Sequence, residues 1–155
     1  MSVAFRRESD EEHKEPRFEL PIPPGPNLVT AAGLTLAETR VAELAATVAA
    51  ETDALALADA QRSLRYWRTR LATAELAPPP PDGEAAFGSR VTFRLNGAER
   101  TVDIVGDDEA EPAAGRIAFS APLARALIGA GAGDFADFGG KADAIEIVAV
   151  GAIPA

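Results

Sequence analysis

The chain has no cysteine. This excludes disulfide cross-links, thiol catalysis and cysteine-based zinc sites together, and it fits a reducing compartment. Histidine occurs once, as His13 in a polar N-terminal stretch. Neither a Ser-His-Asp arrangement nor a histidine metal cluster can be assembled from one imidazole. No apolar run approaches the roughly 20 residues that a membrane-spanning helix needs. The opening "MSVAFRRESDEEHKEP" lacks the apolar core of a signal peptide. These absences together predict a cytoplasmic protein with no membrane partner.

Apolar residues make up 47% of the 155 residues, enough for one or two small domains with a modest core. The net charge is −9, which argues against strong direct binding to nucleic acid. The acidity is concentrated from residue 84 onward, where eleven acidic residues face six basic ones. Such a half suits a basic protein surface sooner than a phosphate backbone, or serves solubility alone.

Four segments follow one another. Residues 1–26 are polar and then proline-rich ("EPRFELPIPPGP"), and are expected to be mobile or extended, with Phe18, Leu20 and Ile22 as candidates for docking. Residues 27–77 carry two helical stripes. Leu34, Ala37, Val41, Leu44 and Val48 recur at three- and four-residue spacing from about Thr30 to Glu51. Leu57, Ala60, Leu64, Trp67, Leu71 and Ala74 do so from about Ala54 to Ala77. A very short corner joins them, so an antiparallel hairpin is expected. Thr30 can cap its start; so can Thr35, which has Glu38 at capping-box spacing. Arg62, Arg65, Arg68 and Arg70 fall mostly off the stripe and are expected to form a solvated basic flank. "PPPPDG" at residues 78–83 ends the second helix and makes a stiff linker.

In residues 84–155 the period changes to two. "RVTFRL" and "AERTVDIVG" flank Asn96–Gly97, the strongest short hairpin signal, because both turn residues must take positive φ. "GRIAFS" is a third strand, and "GDFADF" and "DAIEIVAV" are the last two. "SAPLARALIG" is a short helix, with Ser120 placed to cap it, Pro122 in the first turn and Gly129 at its end. The predicted fold is α+β: a helical hairpin, then a small, mostly antiparallel sheet with one short helix. "GAGAGD" at residues 129–134 follows a helix and enters a strand, the reverse of a dinucleotide-binding loop, and is taken as a turn.

Residues 102–138 resemble the C-terminal domain of the Gre family of bacterial transcription elongation and transcript-cleavage factors. The resemblance is carried by Ile104-Val105-Gly106, Asp108-Glu109-Ala110, Gly115 with Ile117, Pro122, Ala124-Arg125-Ala126-Leu127-Ile128-Gly129 and Gly133-Asp134. "FGSRV" at residues 87–91 resembles the entry to the same domain, and the stretch from Asn27 looks like the start of the family's first long helix. The resemblance implies a domain like the FK506-binding proteins that docks on RNA polymerase near its secondary channel, with the coiled-coil hairpin reaching into that channel. It implies an accessory factor, expected as a monomer, that performs no reaction itself. Docking is carried onto Ser120, Ala121 and Pro122, of which only the proline keeps the family's usual Asp- or Asn-Ser-Pro pattern.

In cleaving members, acidic residues at the hairpin tip help hold Mg2+ in the polymerase's own active site. The tip here is "ETDALALADA", residues 51–60. Asp53 and Glu51 are the candidate metal-assisting residues, with Mg2+ shared with the polymerase only if this tip is active. A hard cation that keeps several waters accepts carboxylates, which is why the chemistry needs acids there. The family's second acid, three residues after the Asp, is replaced by Ala56. Asp53 also suits the N-cap of the second helix. The alternative is therefore a non-cleaving polymerase-binding regulator, or a regulator of another protein partner, with a short hairpin, akin to the regulator of nucleoside diphosphate kinase. Peptidyl-prolyl isomerase activity has only fold analogy behind it, and Phe87, Phe93, Phe119, Phe135 and Phe138 fall mostly at expected core positions.

Overall fold

The computed structural model describes residues 19–154. His13, Phe18 and the first part of the expected tail lie outside the described residues. The chain divides into two compact units. One comprises residues 37–73 with 19–24; the other comprises residues 25–36 with 74–154.

The first unit is built on two helices. Helix α1 runs Ala31–Ala50 and α2 runs Ala54–Thr73, each 20 residues, or about 30 Å at 1.5 Å per residue. Residues 51–53 turn the chain between them. The stripe residues are the covered ones. Ala37, Ala60 and Leu64 are buried, and Val41, Leu44, Val48, Leu57, Trp67 and Leu71 are half-buried. Arg40 lies over the Trp67 ring at 5.9 Å, one of the cross-helix contacts. The expected solvated flank is only partly solvated. Arg65 and Arg68 are exposed, but Arg70 is 3% exposed. Its guanidinium sits 6.0 Å from the Tyr66 ring, so stem and head both pack.

The second helix stops four residues before the expected Ala77. Strand β1 (Leu28–Val29) pairs in parallel with β2 (Glu75–Leu76). Glu75 and Ala77 donate their N–H groups to the carbonyls of Asn27 and Val29 at 2.8 and 3.0 Å. Those donors are thus lost to the helix.

The rest of the second unit is a five-stranded sheet: β3 (Ser89–Leu95), β4 (Ala98–Val105), β5 (Arg116–Ala118), β6 (Phe135–Phe138) and β7 (Lys141–Ala152). Its spatial order is β5-β4-β3-β7-β6. All pairings are antiparallel except β4 with β5. Asn96 and Gly97 have φ of 54° and 78° and turn β3 into β4, with Leu95 opposite Ala98. The period-two pattern sends Val91, Phe93, Val102, Ile104, Ile145 and Ile147 to one face. Helix α3 (Pro122–Leu127) covers them with Ala124 and Leu127. Each large buried side chain contributes about 1.5–3 kcal/mol. Buried Ser89 is satisfied, since its Oγ accepts the Ala86 N–H at 2.9 Å. Among the described residues no helix is long and apolar enough to cross a membrane.

The start of α1 is fixed by a residue 79 positions away. Thr30 is the cap, and Thr35 is not: Thr30 Oγ1 accepts the Gly33 N–H at 3.1 Å. The glutamate that completes the capping box is Glu109 rather than a neighbour in sequence. Its Oε2 accepts the Thr30 N–H at 3.1 Å, and its Oε1 accepts the Thr30 hydroxyl. The same Oε2 accepts the Gly106 N–H at 3.1 Å, closing the 3-10 turn at Asp107–Glu109. One carboxylate therefore satisfies the first backbone donors of two helical turns. Neighbouring space is tight. A Cβ on Gly33 would collide with the Glu109 carboxylate, and one on Gly106 would stand 2.5 Å from the Leu28 carbonyl oxygen.

Glu109→Ala leaves Thr30 and Gly106 donors unmet and is expected to cost on the order of 3 kcal/mol in urea unfolding. Gly33→Ala alone should destabilise by about 1–3 kcal/mol through overpacking. In the Glu109→Ala background the same Gly33→Ala should turn neutral or stabilising, because the clash is gone and alanine favours the helix by about 1 kcal/mol. Additive losses in the double variant would remove the proposed contact.

Candidate functional site

The corner of the first unit holds both candidate metal-assisting residues, and each carboxylate is already engaged locally. Asp53 Oδ2 accepts the Ala56 N–H at 2.9 Å, and the Asp53 carbonyl accepts the Leu57 N–H at 2.8 Å. Asp53 is thus the N-cap of α2, where it meets the orphan donors and the positive end of the helix dipole. Glu51 Oε2 accepts the Asp53 N–H at 3.0 Å. Asp59, the next acid, is ion-paired to Arg62 at 2.7 Å. One oxygen of Asp53 and one of Glu51 stay without a hydrogen bond among the described residues. Two such oxygens fit, at most, two positions of an octahedral Mg2+ shell. No group of three His, Asp or Glu that could hold a metal exists among the described residues.

A second electrostatic feature of this unit was missed by sequence spacing. Arg65 makes a two-pronged pair with Glu19, Nε to Oε1 at 2.9 Å and Nη2 to Oε2 at 2.7 Å. The hydrogen bond from Arg65, helped by its charge and that of Arg62, holds the Glu19 carboxyl below the usual glutamate range. No local pattern links residues 46 positions apart.

In the second unit, the expected docking residues form the turn into α3. Ser120 and Pro122 are exposed and Ala121 is half-buried. Ser120 does not cap the helix as its position suggested. Pro122 takes the first helical position, so the cap falls on Ala121, which has no side chain to offer. The Ser120 hydroxyl instead donates to Asp107 Oδ1 at 2.7 Å. This bond ties the turn to the 3-10 segment that carries Glu109. The adjoining surface includes exposed Arg125, Ile128 (41%) and Phe135 (57%). Asp107 was not singled out from sequence, because its partner lies 13 positions on.

Residues 80–152 match the family model described as "Transcription elongation factor, GreA/GreB, C-term". A transcription elongation factor GreA of Thermomicrobium roseum is 44% identical over 63 residues, covering 39% of this chain and 40% of that protein. One from Vibrio parahaemolyticus is 52% identical over 54 residues, 34% of each. The matched stretch is thus well under half the length of these relatives. Among solved structures, the GreA factor homolog 1 (Gfh1) of Thermus thermophilus aligns over 82% of this chain and 99% of its own, with 19% identity and a TM-score of 0.38. A GreA/GreB factor from Nitrosomonas europaea aligns over 82% and 98%, with 20% identity and a TM-score of 0.39.

Two outcomes test these assignments. Asp53→Ala should lower stability by about 1 kcal/mol in thermal unfolding, whereas Asp53→Asn, which still caps, should cost a few tenths. For Glu19, the lowered carboxyl means that the tie to Arg65 is complete above the ordinary glutamate value. It is lost as pH falls through the lowered one. A carboxyl NMR titration of Glu19 should show this, and Arg65→Ala should return the midpoint to the ordinary range.

Proposed function

We propose that this protein, whose residues 80–152 match the GreA/GreB C-terminal family model, is an accessory transcription elongation factor that binds RNA polymerase. The family match carries the reading, and the geometry of each unit is compatible with it. The turn Ser120–Ala121–Pro122 presents two exposed residues on a rigid base, since Asp107 fixes Ser120 and the Pro122 ring fixes the helix entry. That turn is the docking surface. The hairpin, with arms of 20 residues, is the element that enters the polymerase's secondary channel.

At the corner, Asp53 and Glu51 bring carboxylate oxygens. With Ala56 where the cleaving members carry their second acid, and with Asp53 committed as a cap, the corner favours modulation of elongation over stimulated RNA cleavage. Where cleavage does occur, Mg2+ shared with the polymerase supplies the water activation, and Asp53 and Glu51 only present oxygens toward it.

Affinity capture with the tagged protein should retain RNA polymerase at micromolar concentration. Ser120→Ala and Pro122→Ala should weaken capture without unfolding the domain. Failure of the wild-type chain to retain polymerase would sink the reading. A backtracked elongation complex separates the two modes. Release of short 3′ RNA that Asp53→Asn abolishes, at unchanged melting temperature, would establish metal assistance. Altered pausing without release would establish the non-cleaving mode.

A further inference from the structure

Strands β4 and β5 run in parallel and end side by side. Val105 stands opposite Ala118, and the Phe119 N–H continues their ladder onto the Val105 carbonyl at 2.9 Å. Beyond that rung the two segments part. β4 runs through Gly106 into the 3-10 turn Asp107–Glu109, and β5 runs into the turn Ser120–Ala121–Pro122. One side-chain bond bridges the two exits: the Ser120 hydroxyl donates to Asp107 Oδ1 at 2.7 Å.

Two residues after Asp107 comes Glu109, whose carboxylate holds the Thr30 N–H and hydroxyl and the Gly106 N–H. The Glu109 N–H closes the 3-10 turn on the Gly106 carbonyl at 3.1 Å. All these groups lie in the second unit, which takes in residues 25–36. A three-residue 3-10 turn has poor hydrogen-bond geometry and little rigidity of its own. Here its first and last side chains are held by different segments, Asp107 by the Ser120 turn and Glu109 by the start of α1. The bonds from Thr30 N and Gly106 N to Glu109 are both 3.1 Å, near the long end of the ordinary range. A shift of the turn by about half an ångström therefore weakens both. No slack is available on the other side, where Gly33 leaves room for the Glu109 carboxylate and for nothing larger.

We propose that Asp107 is a positioning residue. By gripping Ser120 it holds the 3-10 turn where Glu109 can cap α1, and so couples the turn Ser120–Ala121–Pro122 to the first turn of the hairpin's first helix. The coupling is reciprocal: contact that steadies the Ser120 turn steadies the root of α1, and loosening that root loosens the turn. Its use in docking rests on the polymerase reading; the coupling itself does not.

Amide hydrogen exchange on the free protein reads both ends, because local opening is separable from global unfolding. Ser120→Ala should speed exchange at Thr30, Gly33 and Gly106 at least about fivefold, with the amides of the central strand β3 unchanged. Asp107→Ala should do the same, and adding Ser120→Ala to it should change nothing further. Asp107→Asn keeps an acceptor oxygen and should restore wild-type exchange. In the reverse direction, Thr30→Val should speed exchange at Ala121, whose N–H donates to the Ala118 carbonyl at 2.9 Å. A merely structural role for Asp107 would speed exchange across β3 by the same factor, and that result would overturn the proposal. Unaltered exchange at Thr30 and Gly33 in Ser120→Ala would overturn it too. Bound polymerase should slow exchange over residues 27–36 of the wild type but not of Asp107→Ala. Polymerase retained without this slowing would overturn the part of the coupling in docking. Polymerase not retained would overturn the docking reading and leave the free-protein result standing.

Discussion

The Glu109 carboxylate is the constraint on which the second unit depends. It accepts the N–H groups of Thr30 and Gly106 and the hydroxyl of Thr30, so it starts α1 and the 3-10 turn after β4 at once. A helix start leaves orphan backbone donors, and burying them unmet costs about 1–3 kcal/mol each. Supplying the acceptor from the 3-10 turn after β4 makes the first turn of α1 part of the sheet unit. The glycines at 33 and 106 follow from the same contact, because a side chain at either would occupy space already taken. The β1–β2 pairing completes the arrangement next to it.

The acids of this protein divide by how they are used. Glu109, Asp53 and Glu51 are acceptors for backbone donors. Asp107 orients the Ser120 hydroxyl. Glu19 neutralises an arginine on the helical unit. A carboxylate committed to a cap is less available to a metal, and this competition bears on the corner more than its acidic composition does. The turn Ser120–Ala121–Pro122 shows the opposite arrangement: its side chains are small, Ser120 and Pro122 are exposed, and the rigidity comes from a proline ring and one hydrogen bond beneath.

Much of this was legible in the residues. Hydrophobic periodicity located both helices and their covered faces. Asn96–Gly97 located the β3–β4 turn, and all five strands of the main sheet were visible as alternating or apolar runs. Asp53 as a cap was also visible, since it stands directly before a helical stripe. Four features were not. The two-residue strands β1 and β2 are too short to show a period. Ser120 was placed as a cap one position early, because Pro122 moves the cap to Ala121. Arg70 was placed with a solvated flank although it is buried. The partner of Thr30 stands 79 positions on, whereas capping-box spacing pointed to Thr35 with Glu38.

Local chemistry, then, was determined by the sequence alone: which stretches form helix, strand and turn, which faces are apolar, and where proline and glycine stop them. These depend on contacts within a few residues, and periodicity records those directly. Tertiary structure alone decided which side chain answers which orphan group. Glu109 on Thr30, Glu19 on Arg65 and Asp107 on Ser120 span 79, 46 and 13 positions. A hydrogen bond needs its partners within about 3 Å, and no spacing along the chain encodes that proximity until folding has brought the distant segments together.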